Sequence, residues 1–167
     1  MKKILFILSV LVLHISCNQP VNQTPVVTGD GEQLSRDGVF IHITQCYDDP
    51  HRVLMPLKMA LMMSDDKDVI VYLDIHAVQF LAKDAKDINF ADFESAHTYI
   101  RKLSEKGVGV YACPTCMKIA GITPEDLIEG VKVAQKDKFF NFTKGRIITL
   151  DYRSEEHTSE LQSHHDL

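Results

Sequence analysis

Short apolar runs rich in β-branched residues alternate with helical segments between residues 38 and 152. The run at residues 68–74 is nearly all apolar, which is typical of a central parallel strand buried on both faces. Amphipathic stretches lie between such runs, for example residues 94–106, which Gly107 ends. Strands that alternate with helices are joined by right-handed crossovers. The pattern therefore predicts a three-layer α/β/α sandwich with a mostly parallel sheet of about five strands.

Two cysteines, Cys113 and Cys116, follow the apolar run at residues 108–112, at the point where a strand gives way to a helix. A thiol at this point lies near helix N-terminal amides, whose partial positive charge favours the thiolate. Chemistry in open parallel sheets collects beyond the carboxyl ends of the strands. Cys46, Asp74 and Cys113 each come just after a predicted strand. The sequence therefore predicts a reactive thiol at this edge of the sheet.

Several functions are compatible with this C-x-x-C pair. It could exchange disulfides, supply half of a zinc or copper site, or carry a persulfide sulfur on one thiolate. It could also be a structural disulfide or a pair of inert core thiols. A metal site needs further ligands, and Cys46 and His51 are the obvious candidates, because the chain has no second C-x-x-C and no H-x-x-x-H motif. His42, within the first predicted strand, is interpreted as a core histidine.

Composition narrows the function classes further. The chain has a formal net charge of −5 and no basic stripe, which argues against a nucleic-acid partner. Of its four cysteines, Cys17 belongs to an N-terminal signal described below. The remaining three are Cys46, Cys113 and Cys116, an odd number in an exported protein. At least one thiol is therefore expected to be free or reactive.

The N-terminal residues predict export. Lys2 and Lys3 precede an apolar run at residues 4–13 that is too short to span a bilayer, as in a secretory signal. The following residues, His14 to Cys17, resemble a lipoprotein lipobox, so residues 1–17 are interpreted as a signal peptide with Cys17 as the lipidated residue. Acyl chains on Cys17 would anchor the protein at the periplasmic face of a bacterial membrane. Residues 18–37 are rich in Asn, Gln, Thr, Gly and Pro and are predicted to be a flexible linker.

The C-terminal residues 153–167 have no apolar periodicity and follow the last predicted strand without a turn signal. Their sequence matches one reading frame of a common short-read sequencing adapter. We therefore interpret them as a translated artefact and exclude His157, His164 and His165 from the candidate ligands. The folded domain is predicted at residues 38–152.

Residues 38–152 resemble the DsrE/DsrF-like family of small sulfur-relay proteins. The segments that carry the resemblance are residues 38–43, 48–55, 58–61, 69–74, 110–116, 123–127 and 139–146.

The resemblance implies a function for the first cysteine of the pair. In that family a cysteine in the loop after the corresponding strand accepts and passes on persulfide sulfur, and Cys113 matches this position. Cys116, Cys46 and Pro56 depart from the family pattern. The resemblance also implies a homo-oligomer, trimer or hexamer, and a partner that is a sulfur donor or acceptor, either a protein or a small sulfur compound.

The leading hypothesis is accordingly a membrane-anchored persulfide carrier that needs no cofactor or resident metal. Cys113 is assigned as the acceptor and Cys116 as a resolving thiol. His51, Arg52 and Lys118 are assigned as residues that stabilise the thiolate or a bound anion, with Cys46 as a further ligand candidate. The alternatives are a metal- or ligand-binding module, a thiol redox protein, and a mainly structural oligomer with a Cys113–Cys116 disulfide.

Overall fold

The computed structural model describes residues 35–152. Its five strands are β1 (Gly38–Ile43), β2 (Asp68–Leu73), β3 (Gly109–Ala112), β4 (Val131–Val133) and β5 (Ile147–Asp151). Its α-helices are α1 (His51–Met63), α2 (Ala96–Glu105), α3 (Pro114–Ala120) and α4 (Lys136–Phe140). Two 3₁₀ helices, Ala77–Leu81 and Pro124–Asp126, complete the described elements.

The strands form one parallel sheet in the order β4-β3-β2-β1-β5. From β1 to β4 the chain moves steadily toward one edge, so right-handed crossovers place α1 and α2 on a single face. The step from β4 to β5 crosses to the opposite edge, and the same handedness places α4 on the other face. The predicted α/β architecture with a parallel sheet of five strands is confirmed.

The face under α1 and α2 holds the aliphatic core. Alternate residues of β1 point into it, and Ile41 is fully buried. Leu57 of α1 and Ile100 of α2 are also fully buried and belong to the same cluster. The helices contact each other as well as the strands beneath them. We call this surface the core face.

The opposite surface of the sheet is aromatic. Phe40 on β1, Tyr72 on β2 and Tyr111 on β3 lie on it, because strand residues alternate between faces and Tyr72 pairs with Tyr111. Phe139 of α4 packs edge-on against Phe40 and Tyr72, with ring centroids 5.0 and 4.8 Å apart. Tyr72 and Tyr111 remain half-buried, because α4, with only five residues, covers a small part of this surface. We call it the aromatic face.

Within residues 123–130 the sequence predicts a helix, because Thr123 is a typical cap, Pro124 a typical first residue and Gly130 a typical stop. The structure shows that this prediction is wrong. The structure has only the short 3₁₀ helix Pro124–Asp126, held by a capping box between Thr123 and Asp126. Leu127 then takes an extended conformation and forms an antiparallel bridge with Ala82. Burial of the Leu127 side chain in the core accounts for the difference, because this tertiary contact outweighs the local helix signal.

Several predictions concern segments outside the described residues: the signal peptide at 1–17, the lipidation of Cys17, most of the 18–37 linker and the adapter-derived tail at 153–167. Near the end of the predicted linker, Asp37 pairs with Arg146 at 2.7 Å and its carbonyl accepts the amide of Asp68. Within residues 35–152, no helix combines the length and apolar character needed to cross a membrane.

Candidate active site

Cys113 lies at the carboxyl edge of the sheet, directly after β3. Its amide donates to the carbonyl of Leu73 on β2 at 2.9 Å, which extends the sheet pairing by one residue. Cys113 is also the N-cap of α3, with extended backbone angles, and Pro114 begins the helix. Its Sγ accepts a hydrogen bond from the amide of Cys116 at 3.5 Å. The structure thus places this thiol at the strand-to-helix junction that the sequence predicts.

The surroundings of the Cys113 sulfur favour its ionised form. Partial burial opposes ionisation, but hydrogen bonds from the Tyr72 hydroxyl and from the amides of Cys116 and Thr115 outweigh it, with a further contribution from the Cys116 thiol. Together they hold the pKa of the Cys113 thiol below its ordinary value. The thiolate is the reactive form of cysteine, so Cys113 is the more nucleophilic of the pair.

Cys116 has the opposite character. Burial and the neighbouring Cys113 thiol raise the pKa of the Cys116 thiol, although its Sγ accepts the amide of Ile75 at 3.2 Å. Ile75 has a φ of 49°, a left-handed conformation that is strained for a β-branched residue. Both sulfurs are free thiols and only partly buried. The pair therefore consists of one thiol whose pKa is lowered and a neighbour whose pKa is raised.

A second polar group occupies the same edge of the sheet. His42 Nε2 lies 2.9 Å from Asp74 Oδ1, and His42 Nδ1 lies 3.8 Å from Asp151 Oδ2. The Nε2 and Oδ1 atoms are buried and are not aligned for a hydrogen bond with each other or with another described residue. The imidazole also stacks on Tyr72, with ring centroids 5.8 Å apart. The sequence analysis interprets His42 as a core histidine, but His42 lies on the aromatic face. The alternation of side chains along β1 is the signal that indicates this position.

Cys46, the third thiol, is buried in the core cluster and only 2% exposed. Burial raises the pKa of its thiol. A buried thiol with a raised pKa behaves as a small apolar side chain. Its assignment as a ligand-binding residue stays a prediction.

The three predicted stabilising residues have other neighbours. His51, the first residue of α1, is exposed and stacks against Phe90 at 5.7 Å. Arg52 pairs with Asp49 at 3.2 Å, and its amide donates to the same carboxylate. Lys118 is exposed on α3, two residues after Cys116, and lines an apolar groove of about 370 Å³. The structure thus brings Cys113, Cys116 and Lys118 onto one short segment, whereas His51 and Arg52 lie at the start of α1.

The described part of the chain contains no group of three or more His, Cys, Asp or Glu side chains arranged to hold a metal ion. Two residues near the pair are not assigned to the site by the sequence analysis. Tyr72 interacts with Cys113, and His42 stacks on Tyr72. The register of β2 and β3 places residues 72, 111 and 113 on one face, and that register is set by the tertiary structure.

The profile of the DsrE/DsrF-like family matches residues 38–149, nearly the whole described domain. The chain belongs to the DsrE/DsrF-like family. The matched residues include β1 to β4, the first part of β5, the helices between them and the segment that carries both cysteines. A comparison with curated protein sequences gives no match.

A comparison with solved structures finds similar chains. The ychN protein from E. coli superposes with a TM-score of 0.55 at 18% identity, covering 68% of this chain and 99% of that one. A protein of unknown function from Methanobacterium thermoautotrophicum, MTH1491, gives a TM-score of 0.48 at 22% identity, covering 68% and 98%. The ychN likeness is one of fold, which agrees with the parallel five-stranded sheet described above.

Proposed function

We propose that this DsrE/DsrF-like protein carries sulfane sulfur as a persulfide on Cys113. The observation that supports the proposal most strongly is the set of donors around the Cys113 sulfur, which lower its pKa at the carboxyl edge of the sheet. Family membership makes a sulfur-relay role reasonable. A persulfide carrier needs a thiolate that is both nucleophilic and reachable, and the partly exposed Cys113 meets both requirements.

The loading step is a transfer of sulfur without net oxidation. The Cys113 thiolate attacks the outer sulfur of a persulfide or polysulfide donor and forms a new S–S bond. The S–S bond of the donor breaks, and its inner sulfur leaves with the electron pair as a thiolate. Unloading repeats this exchange in reverse with an acceptor thiolate, which restores the Cys113 thiolate.

Cys116 supplies a second route out of the loaded state. Its thiolate attacks the inner sulfur of the Cys113 persulfide, which forms a Cys113–Cys116 disulfide and releases the outer sulfur as hydrosulfide. The two cysteines are oxidised and the carried sulfur is reduced, so the electrons balance. Because the pKa of Cys116 is raised, this route is slow at neutral pH and accelerates as the pH rises.

The proposal includes the setting that the sequence predicts. Lipid on Cys17 anchors the chain at the periplasmic face of a bacterial membrane, and the domain works as a homo-oligomer, a trimer or hexamer. Its donors and acceptors are proteins or small sulfur compounds in that compartment. Lys118, in the last turn of the same short helix, contributes positive charge that favours the persulfide anion.

Intact-mass measurement after treatment with polysulfide tests the proposal. We expect the wild-type protein to gain sulfur, the Cys113→Ser variant to gain none, and the Cys116→Ser variant to retain the adduct longer because it lacks the resolving thiol. Cys46→Ala is the matched control, since Cys46 is buried in the core. Wild-type protein that gains no sulfur under these conditions would end the proposal.

A thiol redox function is the second candidate, and the contact between the two cysteines favours it. The amide of Cys116 donates to the Cys113 sulfur, and the two thiols interact directly. A dithiol that cycles with a disulfide needs this arrangement. Thiol counting under native conditions, before and after a mild oxidant, separates this function from sulfur carriage. The metal-binding alternative has no comparable support, because residues 35–152 offer no third donor grouped with the pair.

A further inference from the structure

Tyr72 shares the aromatic face with Cys113 because of strand register. Tyr72 pairs with Tyr111 across β2 and β3, and Cys113 follows two residues later in an extended conformation. Residues two apart on a strand point to the same side, so the Tyr72 ring and the Cys113 sulfur are diagonal neighbours. A long aromatic side chain can span that diagonal. The backbone bond from Cys113 to Leu73 fixes the two strands at this level.

The Tyr72 ring is held on both sides. Phe139 meets it edge-on at 4.8 Å with an interplanar angle of 86°, and His42 stacks against it at 5.8 Å. Such aromatic contacts restrict the ring to one orientation. The ring therefore holds its hydroxyl on the side of the sheet where Cys113 lies, before any substrate arrives, and the two groups affect each other's pKa.

The hydroxyl distinguishes between the two cysteines. Burial and the bond to Cys113 raise the pKa of Tyr72, so its hydroxyl remains a proton donor throughout the ordinary pH range. It lowers the pKa of Cys113, whereas the pKa of Cys116 is raised. Cys113 also accepts two backbone amides and Cys116 accepts one, and the two thiols interact with each other. Apart from its partner cysteine, Tyr72 is the side chain whose hydrogen bond lowers the pKa of Cys113.

We propose that Tyr72 is a catalytic residue of this site, whose hydroxyl stabilises the sulfur of Cys113 as a thiolate and thereby selects it over Cys116 as the sulfur acceptor. The identification of Cys113 as a sulfur acceptor rests on the proposed function. The position of Tyr72 beside Cys113 is set by strand register and does not depend on that function. The same bond stabilises Cys113 again when the acceptor displaces it as a leaving group.

The test is the pH dependence of alkylation at Cys113, measured on the full chain with iodoacetamide and peptide mass spectrometry. In Tyr72→Phe we expect the midpoint of the profile to move to higher pH, and the rate at neutral pH to fall roughly three- to tenfold. Tyr111→Phe is the matched control. It removes a hydroxyl from the same face, but the Tyr111 ring lies against Gly109, on the side away from Cys113.

An unchanged profile in Tyr72→Phe overturns the inference, and so does an equal shift in Tyr111→Phe, which would indicate a general effect of the aromatic face. Circular dichroism and urea unfolding establish that each variant is folded. Polysulfide loading of the wild type is measured in parallel. If the wild type takes up no sulfur, the proposed function fails, while the alkylation profiles still decide the role of Tyr72.

Discussion

The two faces of the sheet are formed by the same five strands but differ in residue type and in exposure. The core face packs against α1 and α2, and Ile41, Leu57 and Ile100 in this layer are inaccessible to solvent. The aromatic face is covered by a five-residue helix and carries His42, Tyr72 and the sulfur of Cys113. Burial of aliphatic side chains stabilises the fold, whereas a partly open aromatic surface keeps a thiol reachable and orients its hydrogen-bond donor. Stability and reactivity are thus assigned to opposite sides of one sheet.

The largest expected effect is on the core face. Leu57→Ala removes a fully buried side chain and leaves a cavity between α1 and the sheet. We expect the free energy of unfolding to fall by about 2–5 kcal/mol, measured by urea denaturation. The alkylation profile of Cys113 should stay unchanged in the protein that remains folded. A shifted profile would show that the two faces are coupled.

Phe139→Ala makes the corresponding change on the aromatic face. It removes the edge contacts with Phe40 and Tyr72. We expect the free energy of unfolding to fall by roughly 1–2 kcal/mol, because the ring is only half-buried and each aromatic pair contributes little stabilisation. Unlike Leu57→Ala, it should also move the alkylation midpoint of Cys113 upward by freeing the Tyr72 ring. Phe140→Ala, which truncates an exposed neighbour, is the control.

Ser95→Ala destabilises α2, a helix of the core face, without changing a buried side chain. Ser95 caps α2 by accepting the amide of Thr98 at 3.3 Å. Its loss should cost about 1 kcal/mol in urea unfolding. Sulfur loading and alkylation should be unaffected, and any loss of either would mean that the stability of α2 influences the thiol site.

The smallest expected effect is on the pH dependence of the free energy of unfolding, to which Cys113 and Cys46 contribute with opposite signs. The folded pKa of Cys113 is lowered, so this thiol stabilises the fold above its unfolded pKa and loses that contribution as pH falls through the folded value. The pKa of Cys46 is raised by burial, so it stabilises the fold below its unfolded pKa and loses that contribution as pH rises through the folded value. Urea unfolding between neutral and alkaline pH measures both trends. The stability of Cys113→Ser relative to wild type should fall with rising pH, and that of Cys46→Ala should rise. Trends in the reverse directions would contradict the two assignments.

Much of the fold follows from local patterns. The run at 68–74 was predicted as a central strand, and β2 occupies the middle of the sheet, because a strand buried on both faces must be apolar almost throughout. The segment at 123–130 was predicted as a helix from its cap and proline. There the structure differs, because contacts of Leu127 and Ile128 with the distant Ala82 and Leu81 decide the conformation. Local propensity cannot report such contacts.

The sequence by itself determined the parallel α/β sheet and the position of Cys113 after its third strand. These features depend on periodicity and on residue type within a few positions. Only the tertiary structure decided which thiol is activated. The donors to Cys113 and Cys116 include Tyr72 and Ile75, about forty residues earlier in the chain, which crossover connections bring to the same sheet edge. A spacing of two cysteines indicates a reactive pair, but the pKa of each depends on the groups that the fold places around its sulfur.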